Sequence, residues 1–250
     1  MAEKKNPNYA RLKKSLVRWL ARELKSARAK GFVVGISGGV DSAVVTALCR
    51  LAAGEHVLGI ILPCENSASD IEDAELVASH FGVRNHKADL GPTYKECLKV
   101  LPEGTRLARA NLKPRLRMVA LYYFANSLNY LVAGTGNKSE LMMGYFTKHG
   151  DGGVDLLPLG NLLKRDVRNL ARELGVPEPV LAKPPTAGLW PGQTDEGEMG
   201  LSYEELDRIL SRTKNGIDRK KIGKVHRTIR ATEHKRNLAK IFPWSVGRRQ

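Results

Sequence analysis

The spacing of apolar positions divides this chain into helix-period and strand-period segments. From about Tyr9 to Ala27, the residues Tyr9, Leu12, Leu16, Trp19, Leu20 and Leu24 recur at helical spacing with Lys and Arg between them. That pattern predicts an amphipathic helix whose stripe packs on a core. Phe32–Ile36 and His56–Leu62 are apolar runs of strand length, the second stopped by Pro63. A helix is expected from Asp41, and another over Ser69–Phe81 with Asp70, Glu72 and Asp73 early in it, where acids suit the helix dipole. A weak strand at Arg84–Ala88 leads into a less regular stretch around Gly91–Gly104. Helix is predicted again through Arg115–Ser127, then a strand at Tyr130–Gly134. Pro114 is expected to open that helix, because proline suits a first helical position and biases Lys113 away from helical geometry.

Strands alternating with helices argue for an α/β fold: a doubly wound, mostly parallel, Rossmann-like sheet with helices on both faces, plus a helical C-terminal extension. Ligands in such sheets sit beyond the carboxyl ends of the strands. No repeat or low-complexity linker divides the chain, so a single domain is expected over residues 1–250. Within it the reading places an N-terminal helix (1–30), an α/β core (31–182), a Pro- and Gly-rich mobile loop (183–200) and a helical, basic C-terminal segment (201–250). The S-x-x-E spacing of Ser202-Tyr203-Glu204-Glu205 marks a helix start in that last segment.

Composition narrows the class. No apolar run approaches a membrane span and the first residues lack a signal core, so a soluble cytoplasmic protein is expected. Cys49, Cys64 and Cys97 include no C-x-x-C pair, which argues against a disulfide framework or a zinc site. The formal charge of +15 is concentrated: between Arg212 and Arg249 stand thirteen Lys and Arg against two acids. Such a segment suits RNA, the phosphates of a dinucleotide, or a solvated helix face. It lacks the interleaved aromatics that stack bases, and nucleic acid is not the expected partner.

The chemistry begins at Ser37-Gly38-Gly39-Val40-Asp41-Ser42, between the first strand and the next helix. A strand, a glycine turn and a helix N-terminus in that order make a phosphate site, with unpaired N–H groups and the helix dipole facing the anion. No Lys of the Walker type is present. Asp41 stands there instead, and it would repel phosphate unless a divalent metal lay between them. The stretch resembles the loop of PP-loop ATP pyrophosphatases, which cleave ATP between its α and β phosphates. Gly134-Thr135-Gly136-Asn137-Lys138-Ser139-Glu140 follows the fourth strand and brings a second carboxylate to the same sheet edge. Asp41 and Glu140 are therefore candidate ligands for Mg2+.

Four further runs share a pattern. They are Gly144-Tyr145-Phe146-Thr147-Lys148-His149-Gly150-Asp151-Gly152-Gly153-Val154-Asp155-Leu156-Leu157-Pro158-Leu159, then Lys183-Pro184-Pro185-Thr186-Ala187-Gly188-Leu189-Trp190, Gln193-Thr194-Asp195-Glu196 and Thr232-Glu233-His234-Lys235-Arg236. With the opening loop, in this order, they resemble the NAD synthetases over about Gly35 to Arg236. The resemblance implies ATP-dependent amidation of deamido-NAD by ammonia, through an adenylated nicotinate, with release of AMP and pyrophosphate. It implies that Gly35, Ile36, Ser37, Gly38, Gly39, Val40, Asp41, Ser42, Thr135, Lys164 and Thr186 contact ATP. Arg115, Lys148, Asp155, His234 and Lys235 would contact deamido-NAD, and the chain would form a homodimer through helices 112–128 and 202–210 unless these pack within the monomer. Asp41 and Lys164 would support phosphate chemistry, and Asp151 or Asp155 would take a proton from ammonium. The glycine turn is expected to bring Lys148 and Asp155 together. Gly136-Asn137-Lys138-Ser139 departs from the T-D-H-A-A type, although Thr135 and Glu140 keep their spacing.

At this length no additional nitrilase-like glutaminase domain is expected. A PP-loop tRNA-modifying adenylase is the alternative enzyme, motivated by the basic segment; it would call for a cysteine pair or an RNA-binding domain. A non-catalytic nucleotide-binding or stress-sensor protein is the alternative outside catalysis, and it has little need of both Asp41 and Glu140.

Overall fold

The computed structural model describes residues 8–190, 192–213 and 216–243. Four strands, β1 (Gly31–Gly35), β2 (Val57–Ile61), β3 (Arg84–Lys87) and β4 (Tyr130–Val132), form one parallel sheet in the order β3-β2-β1-β4. Its helices begin with α1 (Tyr9–Ala27), α2 (Val40–Ala53), α3 (Ala68–His80), α4 (Gly91–Val100) and α5 (Arg106–Leu128). After β4 come α6 (Lys138–Met143), α7 (Lys164–Leu174) and α8 (Glu178–Ala182). The last four are α9 (Asp195–Met199), α10 (Tyr203–Leu210), α11 (Arg219–Ala231) and α12 (Glu233–Arg236).

Period-2 alternation sends the two sides of each strand into different cores. Phe32, Val34, Val57 and Ile61 pack with α1, α2, α3 and α7 on one face. Val33, Ile60, Leu62 and Val132 pack with Ala125, Leu121 and their neighbours on α5 across the other. A third apolar cluster lies apart from the sheet. Met143, Met199, Leu201, Tyr203, Leu206, Ile209 and Val225 tie α6, α9, α10 and α11 together.

Two local expectations change. The stretch around Gly91–Gly104 contains α4, with proline in its first turn and Tyr94 buried. Pro114 does not open a helix: α5 begins eight residues earlier, at Arg106, capped by the Thr105 side chain, and runs through the proline. Burial overrides the local bias against helix at Lys113. Its ammonium reaches Glu65 at 2.8 Å and the Leu189 carbonyl at 3.1 Å, while Pro114 is itself buried.

The first strand lies against its neighbours with no room for a side chain at its start. A Cβ on Gly31 would stand 2.1 Å from the His56 carbonyl oxygen and 2.6 Å from the Tyr130 ring. Gly31→Ala is expected to cost about 1–3 kcal/mol as overpacking, read as a lowered urea midpoint with an unchanged m-value.

Candidate active site

The carboxyl ends of β1, β2 and β4 open onto a cleft of about 440 Å³. On its floor α2 starts at Val40 with Gly39 as N-cap and no side chain capping it, which leaves the helix N-terminus open to an anion. The turn before it is shaped by its own serines. Ser42 Oγ donates to the Gly39 carbonyl at 2.9 Å and accepts the Ser37 N–H at 3.2 Å. Gly38 has a left-handed φ of 76°, and a Cβ there would meet the Asp70 carbonyl oxygen at 2.7 Å. Glycine is therefore required by both conformation and space.

Three helix N-termini bring Asp41, Glu140 and Lys164 together. Asp41 lies in the first turn of α2, Glu140 in the first turn of α6, and Lys164 opens α7. The Lys164 ammonium, 4% exposed, bonds to Asp41 Oδ2 and to Glu140 Oε1, the latter at 3.1 Å. Burial alone would lower the Lys164 pKa, but the two carboxylates outweigh it and hold the pKa above its ordinary value. Burial likewise pushes Glu140 above the usual carboxylate range, against the pull of Lys164.

This donor set fits magnesium. Asp41 and Glu140 already aim oxygens at one positive charge, and magnesium takes one or two carboxylates together with phosphate oxygens. Among the described residues no cluster of three or more His, Cys, Asp or Glu forms a cage. The site thus suits an ion that arrives with a polyphosphate.

The other sequence-predicted residues divide into two groups. Gly35, Ile36, Ser37, Gly39, Val40, Ser42, Thr135, Asp151, Thr186 and Lys235 line the same cleft as Asp41, Glu140 and Lys164. Gly38, Arg115, Lys148, Asp155 and His234 do not line it. The expected pairing of Lys148 with Asp155 is absent. Asp155 accepts from the Val132 N–H at 2.8 Å and the Tyr122 hydroxyl at 3.0 Å, while Lys148 donates to the His234 carbonyl at 2.6 Å. The glycine turn folds on Thr147 instead. The Thr147 carbonyl accepts the Gly150 and Gly152 N–H groups, and its own N–H donates to Asp151 Oδ1 at 2.8 Å. Desolvation raises the Asp151 pKa, opposed by that hydrogen bond. Lys235 donates to the Gly144 and Phe146 carbonyls at 2.8 and 2.9 Å, and burial lowers its pKa.

Residues 183–190, with Gln193, Asp195 and Glu198, also line the cleft. Lys183, the first of them, bonds to Asp70 at 2.8 Å and Asp73 at 2.6 Å on α3. Thr186 Oγ1 donates to the Gln193 carbonyl at 2.8 Å, and the Gln193 side chain accepts the Leu189 N–H at 2.7 Å and donates to Glu198 at 2.8 Å.

Four residues given no role by the motifs complete the site. Asn137 donates to Asp41 Oδ1 at 2.8 Å while forming a capping box with Glu140, so the departure from the T-D-H-A-A type has a structural use. Asp207 on α10 accepts the Ser139 hydroxyl at 2.5 Å and the Arg165 N–H at 2.9 Å, locking α6 and α7 to each other. Tyr203 donates to Asp195 at 2.8 Å and stands 3.3 Å from Glu140 Oε1. Burial raises the Asp195 pKa, opposed by the Tyr203 hydrogen bond. The N-x-x-E spacing at Asn137 was a readable signal. The pairing of Ser139 with Asp207, 68 residues away, was not.

A parallel sheet with an open phosphate loop at its carboxyl edge defines an α/β nucleotide-binding protein of the PP-loop type. The NAD synthase family model matches residues 12–239, and the chain belongs to that family. An NH(3)-dependent NAD(+) synthetase from Carboxydothermus hydrogenoformans is 47% identical over 239 residues, covering 94% of this chain and 98% of the relative. Another, from Finegoldia magna, is 46% identical over 236 residues, covering 94% and 97%. Among solved structures, NMN synthetase from Francisella tularensis superposes with a TM-score of 0.91 at 36% identity, covering 96% of this chain and 100% of that one.

Asp207→Ala is expected to leave the Ser139 hydroxyl and the Arg165 N–H without their acceptor, costing about 2–3 kcal/mol. The check is a fall in thermal midpoint together with a loss of turnover, since Glu140 and Lys164 both hang on this link.

Proposed function

We propose that this chain is a cytoplasmic enzyme that amidates deamido-NAD to NAD with ATP and ammonia, by way of an adenylated nicotinate. The observation that carries the reading is the convergence of Asp41, Glu140 and Lys164 beside an uncapped helix N-terminus, in a member of the NAD synthase family. Within the basic C-terminal segment, Lys235 and Arg236 are turned inward on backbone carbonyls, while Arg219, Lys220, Lys224, Arg227 and Arg230 stay exposed.

The chain's residues divide the work. The N–H groups at the start of α2 bind phosphate oxygens, presented by a turn that the Ser37 and Ser42 hydroxyls hold in shape. Asp41 and Glu140 would hold Mg2+, which when bound screens the phosphates and stabilises charge as the α–β bond breaks. Lys164, released from the carboxylates, follows the same developing charge, which is transition-state stabilisation by a positioned cation. Thr135 and Thr186 border the nucleotide. Asp151, beside the glycine turn, would receive a proton from ammonium.

Arg115, Lys148, Asp155 and His234 lie outside the cleft, in keeping with a dinucleotide site completed at a homodimer interface. Arg115, Val119 and Tyr123 are exposed on α5, and Leu107 precedes them on the same helix. The 202–210 helix has its apolar residues Tyr203, Leu206 and Ile209 buried within the monomer, so α5 is the better candidate for that contact.

A second substrate has a specific observation behind it. The structure with a TM-score of 0.91 is an NMN synthetase, against 0.81 at 25% identity for an NH3-dependent NAD synthetase from Campylobacter jejuni, which covers 94% of this chain and 100% of that one. Nicotinate mononucleotide therefore belongs in the assay beside deamido-NAD.

With ATP, magnesium and ammonium, the protein is expected to convert deamido-NAD to NAD with AMP and pyrophosphate in equal amounts. Formation of ADP, or no amide from either substrate, overturns the reading. A higher kcat/KM for the mononucleotide would move the assignment to that substrate. Asp41→Asn is expected to lower pyrophosphate release by at least about 100-fold, on the scale of losing one strong electrostatic group, with the circular dichroism spectrum unchanged.

A further inference from the structure

One buried carboxylate oxygen in the cleft has no partner. Asp195, at the start of α9, is 4% exposed and lines the cleft that holds Asp41, Glu140 and Lys164. Its Oδ2 accepts the Tyr203 hydroxyl at 2.8 Å. Its Oδ1 is sealed from solvent and meets no hydrogen-bond donor among the described residues. Buried polar atoms are almost always partnered, and leaving one empty costs about 1–3 kcal/mol. The position therefore calls for a donor that none of the described residues supplies.

The surroundings restrict what that donor is. Tyr203 reaches from Asp195 to Glu140 Oε1, and the Tyr145 hydroxyl, committed to Glu198 at 2.5 Å, flanks the same carboxyl. The nearby Lys164 is engaged by Asp41 and Glu140. The corner is thus acidic and aromatic, and it repels phosphate and carboxylate. A divalent metal would need more oxygen ligands than gather here, since no three-acid cluster exists among the described residues. A small monovalent cation that carries its own N–H donors fits both demands: charge for the carboxylate and a hydrogen bond for Oδ1.

We propose that Asp195, held by Tyr203 and flanked by Tyr145, is the docking seat for the ammonium co-substrate, with Oδ1 as its acceptor. The inference rests on the amidation reading and deepens it. It separates the site into a seat for the nitrogen donor on the 183–200 loop side and Asp151 on the glycine turn, whose Oδ1 already accepts the Thr147 N–H. The seat also gives the loop a substrate-binding purpose, because Asp195 enters the cleft from its end.

The test compares wild type with Asp195→Asn at saturating ATP, magnesium and deamido-NAD, varying either ammonium or hydroxylamine, which is uncharged at neutral pH. The asparagine is expected to raise the ammonium KM at least tenfold. Hydroxylamine turnover and ATP–pyrophosphate exchange without a nitrogen donor should stay within threefold of wild type. Equal losses with both nucleophiles, or loss of exchange, would mean that Asp195 only shapes the loop, and would overturn the seat. A wild-type protein that forms no amide at all overturns the amidation reading, and the seat with it. Should the asparagine variant fold poorly, Tyr203→Phe removes the hydroxyl that orients Asp195. Because Tyr203 also touches Glu140, the readout is a ratio: kcat/KM for ammonium relative to that for hydroxylamine is expected to fall at least tenfold, and an unchanged ratio would overturn the proposal.

Discussion

The site depends on one buried cation between two carboxylates. Lys164 joins Asp41 and Glu140 in a largely dry place, one positive charge shared by two acids. Taking three charges out of water is costly, and such a cluster persists only when its remaining bonds are met. Asn137 meets one of them at Asp41, and the positive ends of α2 and α6 favour the two acids. The uncapped start of α2 beside them attracts phosphate, while the acids repel it. A bare polyphosphate thus meets opposing forces, and one that brings a divalent cation does not. The pairing of an anion-binding turn with surplus carboxylate selects a metal–nucleotide complex by charge alone.

Much of this was legible locally. The apolar runs that become β1, β2 and β4, and the glycine turn after β1, depend on neighbours in sequence, and their boundaries differ from the expected ones by one or two residues. Asp41 and Glu140 followed from being the acids that enter helices at the carboxyl edge of the sheet. What was hidden is what the fold joins across long separations. Lys113 is helical before a proline because Glu65 and the Leu189 carbonyl hold its ammonium, and nothing within the 106–128 segment encodes either partner. Lys148 and Asp155 read as a pair from the turn between them, yet each found a nearer bond, one at the His234 carbonyl and one at the Val132 N–H. Spacing brings residues close; competition among hydrogen-bond partners decides which of them meet.

The basic C-terminal segment shows how a charge surplus can serve geometry. Arg236 donates to the Leu141 and Met142 carbonyls at 3.0 and 3.1 Å, in the last turn of α6. Lys235 takes the next ones, at Gly144 and Phe146. At the opposite end of the same short helix, Asp207 grips Ser139 and, through Arg165, the start of α7. Six residues of helix are too few to hold a shape alone. The C-terminal segment clamps both ends of α6, and Glu140 sits between the clamps. Its charges thus act on the site at one remove, by fixing the helix that carries the second carboxylate. Part of a segment that by composition suits a nucleic acid is, by its hydrogen bonds, the frame of the phosphate site.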